Sequence, residues 1–131
     1  MKSEFTTDLH LKDHETKERV WITTAPLGFF SARFDIEITV PAGFYTDLSS
    51  VPRIPLVFWF WGGRAHREGV LHDYLVRKDS IPVVPLAVAN IIFLDAMESR
   101  NKPFYVRYPM YAGVWLGAAP FYHKKLVGDK L

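Results

Sequence analysis

The hydrophobic period of this chain changes near residue 60, and that change limits the fold more than any other feature. Phe34 to Val40 (FDIEITV) alternates strictly, with Phe34, Ile36, Ile38 and Val40 on one face and Asp35, Glu37 and Thr39 on the other. A period of two with one wet face predicts a half-buried antiparallel strand. Past Gly62-Gly63 the apolar residues Val70, Leu71, Tyr74 and Leu75 recur at spacings of one, three and four, which puts them on one face of a helix. Strands first and helices later predict an α+β domain: a small antiparallel sheet from the N-terminal half packed on about three C-terminal helices.

The individual elements follow from the same patterns. Glu18 to Thr24 is rich in β-branched and aromatic residues and reads as a strand, Pro26 to Gly28 as a turn, and Phe44 to Asp47 as a short extended piece. Helices are expected over about Arg64–Arg77, Val83–Ser99 and Tyr108–Leu116, separated by Asp79-Ser80-Ile81-Pro82 and Asn101-Lys102-Pro103. Ile91 to Leu94 is apolar on every side, so the second helix is expected in the middle of the fold. With no repeat and no Gly/Ser linker, residues 1–131 read as a single domain, 1–17 as a solvated mobile arm and 123–131 as a frayed tail.

Composition narrows the function classes. Zero cysteines exclude disulfides, thiolate metal sites and cysteine nucleophiles. A formal charge of +2, with Arg64, Arg67, Arg77, Lys78, Arg100 and Lys102 scattered, gives no basic stripe for a nucleic acid. The longest apolar stretch, Ile54 to Trp61, is far shorter than the ~20 residues of a membrane span, so a soluble protein or a part of a soluble assembly is expected. Aromatic residues make up 15% of the chain and must be buried in its core or against a partner.

Four groups of residues could carry chemistry or recognition. Thr46, Asp47, Ser49, Ser50 and Arg53 form a polar cluster just before an apolar run. It reads as a capped turn, or as a pocket in which Asp47 is a ligand or general base. On the first helix, His72 and Asp73 lie at opposite edges of the apolar stripe, each roughly 130° from its centre. Either His72 is a boundary histidine beside a solvated Asp73, or the two serve as acid and base with Asp47. The spacing His66-x-x-Gly69-x-x-x-Asp73 also occurs in zinc peptidases of the cell wall, but the only later histidine is His123. Asp95 follows Val84, Val88 and Ile91 on a row expected to face the core, so it must be paired, with Arg53 or Arg64 for instance, or bind metal. Phe58, Trp59, Phe60 and Trp61 form either loop packing or a docking patch.

The motifs Thr46–Arg53 (TDLSSVPR), Val70–Leu75 (VLHDYL), Phe93–Met97 (FLDAM) and Met110 to Gly117 together resemble the domain of unknown function thirteen fifty-three, over about residues 40–117. That resemblance implies a setting in tailed bacteriophages and prophages rather than a particular reaction. It also implies that Asp47, His72, Asp73 and Asp95 belong together. Where related sequences often carry Ala-Asp, this chain has Ala89-Asn90, which would weaken a metal site that used the aspartate.

Two readings follow. One is a structural or accessory protein of a phage tail or baseplate, in the virion or in the host cytoplasm during assembly. It would need no cofactor and would dock on other virion proteins as a homo- or hetero-oligomer. The other is a metal-dependent hydrolase of the bacterial cell wall, with His72, Asp47 and Asp95 on a divalent ion such as Zn²⁺.

Overall fold

The computed structural model describes residues 2–13, 20–46, 66–101, 104–105, 107–108, 111–112, 115 and 126–128. Its elements in chain order are β1 Glu4–Phe5, β2 Leu11–Asp13, β3 Trp21–Thr23, β4 Leu27–Ser31, β5 Ile36–Val40, β6 Tyr45–Thr46, α1 His66–Leu75 and α2 Leu86–Ser99. The α+β class holds, but the strands form two antiparallel sheets of three, ordered β1-β4-β5 and β2-β3-β6, where one sheet was expected. Of the expected third helix over Tyr108–Leu116, Tyr108, Tyr111, Ala112 and Trp115 are described and are helical, as are Phe104, Tyr105 and Arg107 before it.

β5 behaves as its alternation predicts. Ile38 and Val40 are buried, and Glu37 and Thr39 are exposed. Its partner β4 (LGFFS) occupies part of the expected turn at Pro26–Gly28 and shows no alternation: Leu27, Gly28, Phe29 and Ser31 are all buried. β4 lies between β1 and β5 and is covered on both faces, so no wet face leaves a period-two signal. A side chain at Gly28 would collide with the Thr6 hydroxyl, while the Gly28 N–H donates to Thr7 Oγ1 at 2.9 Å. This close crossing binds the N-terminal segment to β4. β1 and β2 are edge strands of the two sheets, which corrects the expectation of a solvated arm over these residues. Paired backbone satisfies the donors and acceptors that a free arm would leave to water.

α1 packs on α2 and reaches β5 and β6, while α2 lies against β1 and β4. Val70, Leu71, Tyr74 and Leu75 are buried as the helical period predicts, but so is every other residue from Glu68 to Arg77. α1, not α2, is therefore the helix buried all round. Ile92 and Phe93 of α2 are in the core, whereas Ile91 and Leu94 are only half-buried. α2 begins after Pro85, whose fixed φ of −61° suits the position before the first turn. It ends at Arg100, followed by Asn101 at φ 62°, a left-handed residue that stops the helix. Among the described residues, no helix is long and apolar enough to cross a membrane.

Candidate functional site

The polar residues of α1 are held by partners from three other parts of the chain. The Thr46 hydroxyl at the end of β6 donates to Asp73 Oδ2 at 2.6 Å. Arg77 Nη2 donates to the same oxygen at 3.1 Å and to the Tyr45 carbonyl at 3.2 Å, and Arg77 Nε donates to the Asp73 carbonyl at 3.3 Å. Arg77 Nη1 reaches the Leu126 carbonyl at 3.2 Å, and the Val127 N–H donates to Asp79 Oδ1 at 2.6 Å. These contacts pin residues expected in a frayed tail. The guanidinium also lies 4.9 Å over the Phe44 ring, which meets Tyr74 edge-on. The side chains of Asp73 and Arg77 are 2% and 1% exposed, so the pair is a wholly buried, hydrogen-bonded ion pair.

Of the two readings of Asp73, solvated edge residue or acid and base partner of His72, the structure corrects the first, since the side chain is buried. A carboxylate needs either water or donors, and β6 with Arg77 supplies the donors. The i,i+4 spacing of Asp73 and Arg77 was a visible signal for this pair. Nothing local announced Thr46, 27 residues away.

His72 points away from this clasp toward α2. Its Nε2 meets Asn90 Oδ1 at 2.5 Å, and its ring stands edge-on to Phe93 at 5.3 Å. Burial lowers its pKa to about 4, outweighing the Asn90 hydrogen bond, which acts in the opposite direction. The imidazole is therefore neutral at pH 7. With Nε2 as donor, Nδ1 is a buried acceptor and Asn90 Nδ2 a buried donor, each without a partner among the described residues. Glu68, one turn before His72, is fully buried, and its Oε2 lies 3.5 Å from Arg100 Nη1 on the C-cap of α2.

Asp95 takes a partner other than those expected. Arg33, in the turn between β4 and β5, donates from Nε to Oδ2 at 2.7 Å and from Nη2 to Oδ1 at 3.0 Å. This two-pronged contact spans 62 residues of sequence and had no signal in it. It raises the Arg33 pKa, first through the side-chain hydrogen bond and then through the charge of Asp95. Arg33 and Asp95 line an open cleft of about 630 Å³ together with Lys2, Glu98 and Arg107. Neither His72 nor Asp73 lines it.

The expected set is thus brought together only in part. Asp47, Ser49, Ser50, Arg53 and the aromatic run Phe58, Trp59, Phe60 and Trp61 lie outside the described residues, as does Arg64. Thr46, which leads into that polar cluster, is anchored to α1 beside His72. Asp95 faces the cleft and His72 the Asn90 contact. Among the described residues, no three His, Asp or Glu side chains are grouped so as to hold a metal ion. Arg33, Arg77 and Arg107 were not among the expected site residues, and Asn90 stood out only as a departure from related sequences.

Residues 21–114 match a family model described as protein of unknown function (DUF1353). No curated protein and no solved structure matches the chain.

Proposed function

The chain belongs to the DUF1353 family, and on that premise we propose that it is a non-enzymatic structural or accessory protein of a tailed bacteriophage, a tail or baseplate component that docks on other virion proteins. The observation that supports this reading is how His72 and Asp73 are used. Both are buried, and each is held by a partner within the fold, Asn90 for one and Thr46 with Arg77 for the other. A general base has to reach a substrate proton within hydrogen-bonding distance. A neutral imidazole with a pKa of about 4, sealed between two helices, is built for packing. The most prominent motif of the chain thus ties the strand half to the helical half and leaves recognition to the surface. That surface includes exposed Phe104, Tyr105, Tyr108 and Trp115, ring-bearing groups of the kind enriched at interfaces.

The alternative is a metal-dependent cell-wall hydrolase using His72, Asp47 and Asp95. It requires those groups to converge on an accessible ion, and among the described residues Asp95 is already engaged by Arg33. Mass spectrometry of gradient-purified particles from the phage or induced prophage that encodes the chain separates the readings. Its presence in a fixed ratio to tail proteins is expected, and its absence from the particles overturns the proposal. Peptidoglycan cleavage that disappears in a folded His72→Ala variant would establish the alternative.

A further inference from the structure

The cleft beside Asp95 holds three cationic side chains, Lys2, Arg33 and Arg107, against two carboxylates, Asp95 and Glu98. Both carboxylates are already engaged. Asp95 accepts two bonds from Arg33, and Glu98 Oε1 lies 3.6 Å from Arg107 Nη1. What remains on offer is donor capacity. Among the described residues, Arg33 Nη1 makes no hydrogen bond and Arg107 Nε is buried without a partner. A buried donor with no acceptor is a standing cost that an incoming carboxylate would remove.

Arg107 also belongs to a second feature. Its guanidinium lies 5.8 Å over the Tyr108 ring, and Tyr108, Phe104 and Tyr105 are 56%, 67% and 63% exposed. Phe104 meets Tyr105 edge-on, and Tyr111 meets Trp115 edge-on further along. Phe104, Tyr108, Tyr111 and Trp115 follow one another in sequence at spacings of four, three and four, each of them is helical, and Arg107 joins Tyr108 to the charged cleft.

We propose that the cleft and these aromatic residues form one docking surface for a peptide segment of a partner protein, with an Asp or Glu carboxylate entering between Arg33 and Arg107 and an adjacent aromatic or aliphatic side chain lying on Phe104 and Tyr108. Charge complementarity selects the acid, since three cationic side chains face two carboxylates in the cleft and each carboxylate already has a cationic neighbour. A nucleic acid suits the surface less well, because Asp95 and Glu98 would repel a continuous run of phosphates. The inference rests on the docking reading above and not on the phage setting.

The test is selection from a random dodecapeptide library on the immobilised full-length protein. Affinities of labelled winners are then measured by fluorescence anisotropy for the wild type and for Arg107→Gln, Lys2→Gln and Phe104→Ala, each checked for folding by circular dichroism. The expected winners carry Asp or Glu next to Trp, Phe, Tyr or Leu, bind about tenfold more weakly to Arg107→Gln, and weaken as salt is raised. Lys2→Gln and Phe104→Ala are expected to weaken binding by smaller factors. The proposal is overturned by winners without acids, by basic winners, by no enrichment, by unchanged affinity in a folded Arg107→Gln variant, or by an oligothymidine strand that displaces the peptide and binds more tightly. If the protein is found in virions and yet selects no acidic peptide, the cleft assignment fails alone. If acidic peptides bind and particles lack the protein, the phage setting fails alone.

Discussion

The Thr46 hydroxyl donates to Asp73 Oδ2 across 2.6 Å, and this short bond joins the strand half of the molecule to α1 at the residue next to His72. Arg77 completes the joint by donating to the same oxygen and to the carbonyls of Tyr45 and Leu126. Thr46 and Asp73, each taken from a motif that suggests an active site in the sequence, are used in this clasp, and stability measurements are where substitutions in them should be read.

Thr46→Val removes the donor and keeps the shape, leaving the buried Asp73 carboxylate one hydrogen bond short. A loss of about 1–3 kcal/mol is expected in urea unfolding. Thr46→Ser, which restores the hydroxyl, is expected to recover most of it. Equal stability of the valine and serine variants would show that the bond contributes nothing.

Asp73→Ala leaves the Arg77 guanidinium buried without its countercharge, since both side chains are almost fully inaccessible. The expected cost is about 3–5 kcal/mol, a large fraction of the stability of a single domain, read from urea unfolding. Replacing both residues with apolar ones should cost less than the sum of the single changes, a coupling that a double-mutant cycle measures.

His72 gives a pH dependence of definite sign. Its folded pKa is lowered to about 4 against an ordinary value of 6.5, so between those values the unfolded chain binds a proton that the folded chain refuses. Stability therefore falls as pH drops from 6.5 toward 4, by roughly 3 kcal/mol from this group alone, and levels off below 4. In His72→Gln, which keeps a polar group near Asn90, that part of the slope is expected to vanish from urea midpoints measured across the window.

Asn90→Asp puts a carboxylate 2.5 Å from the imidazole, on the oxygen that already meets Nε2. A negative neighbour favours the imidazolium, so the His72 pKa is expected to rise well above its wild-type value. A titration of the imidazole ring proton by NMR checks this, and an unchanged midpoint would mean that the two side chains do not touch.

Arg33→Ala strips Asp95 of both of its donors. Because the Arg33 side chain is 56% exposed and water takes over part of its role, the expected cost is only about 1 kcal/mol, with Arg33→Lys intermediate. Thermal unfolding at low and high salt reads it, with the smaller difference expected at high salt.

Local pattern was enough to locate β5, the buried positions Val70, Leu71, Tyr74 and Leu75 of α1 and the α+β class, because a face that is apolar at a regular interval has to find a core. It was also enough to require a partner for Asp95, since a carboxylate on a core-facing row cannot stay alone. It could not reveal β4, whose two covered faces erase the alternation, or the short β1 and β2, which are strands only through their pairing with β4 and β3. Nor could it separate a solvated Asp73 from a buried and satisfied one, because the side chain is the same and only its partners differ. Those partners, Thr46 for Asp73, Asn90 for His72 and Arg33 for Asp95, are distant in sequence and meet only when the strand layers close on the helices and the two helices pack on each other. Periodicity is a property of neighbours along the chain, whereas a hydrogen bond between remote segments is settled by topology, and that is why only the tertiary structure names Thr46 and Arg77 as the groups that hold Asp73.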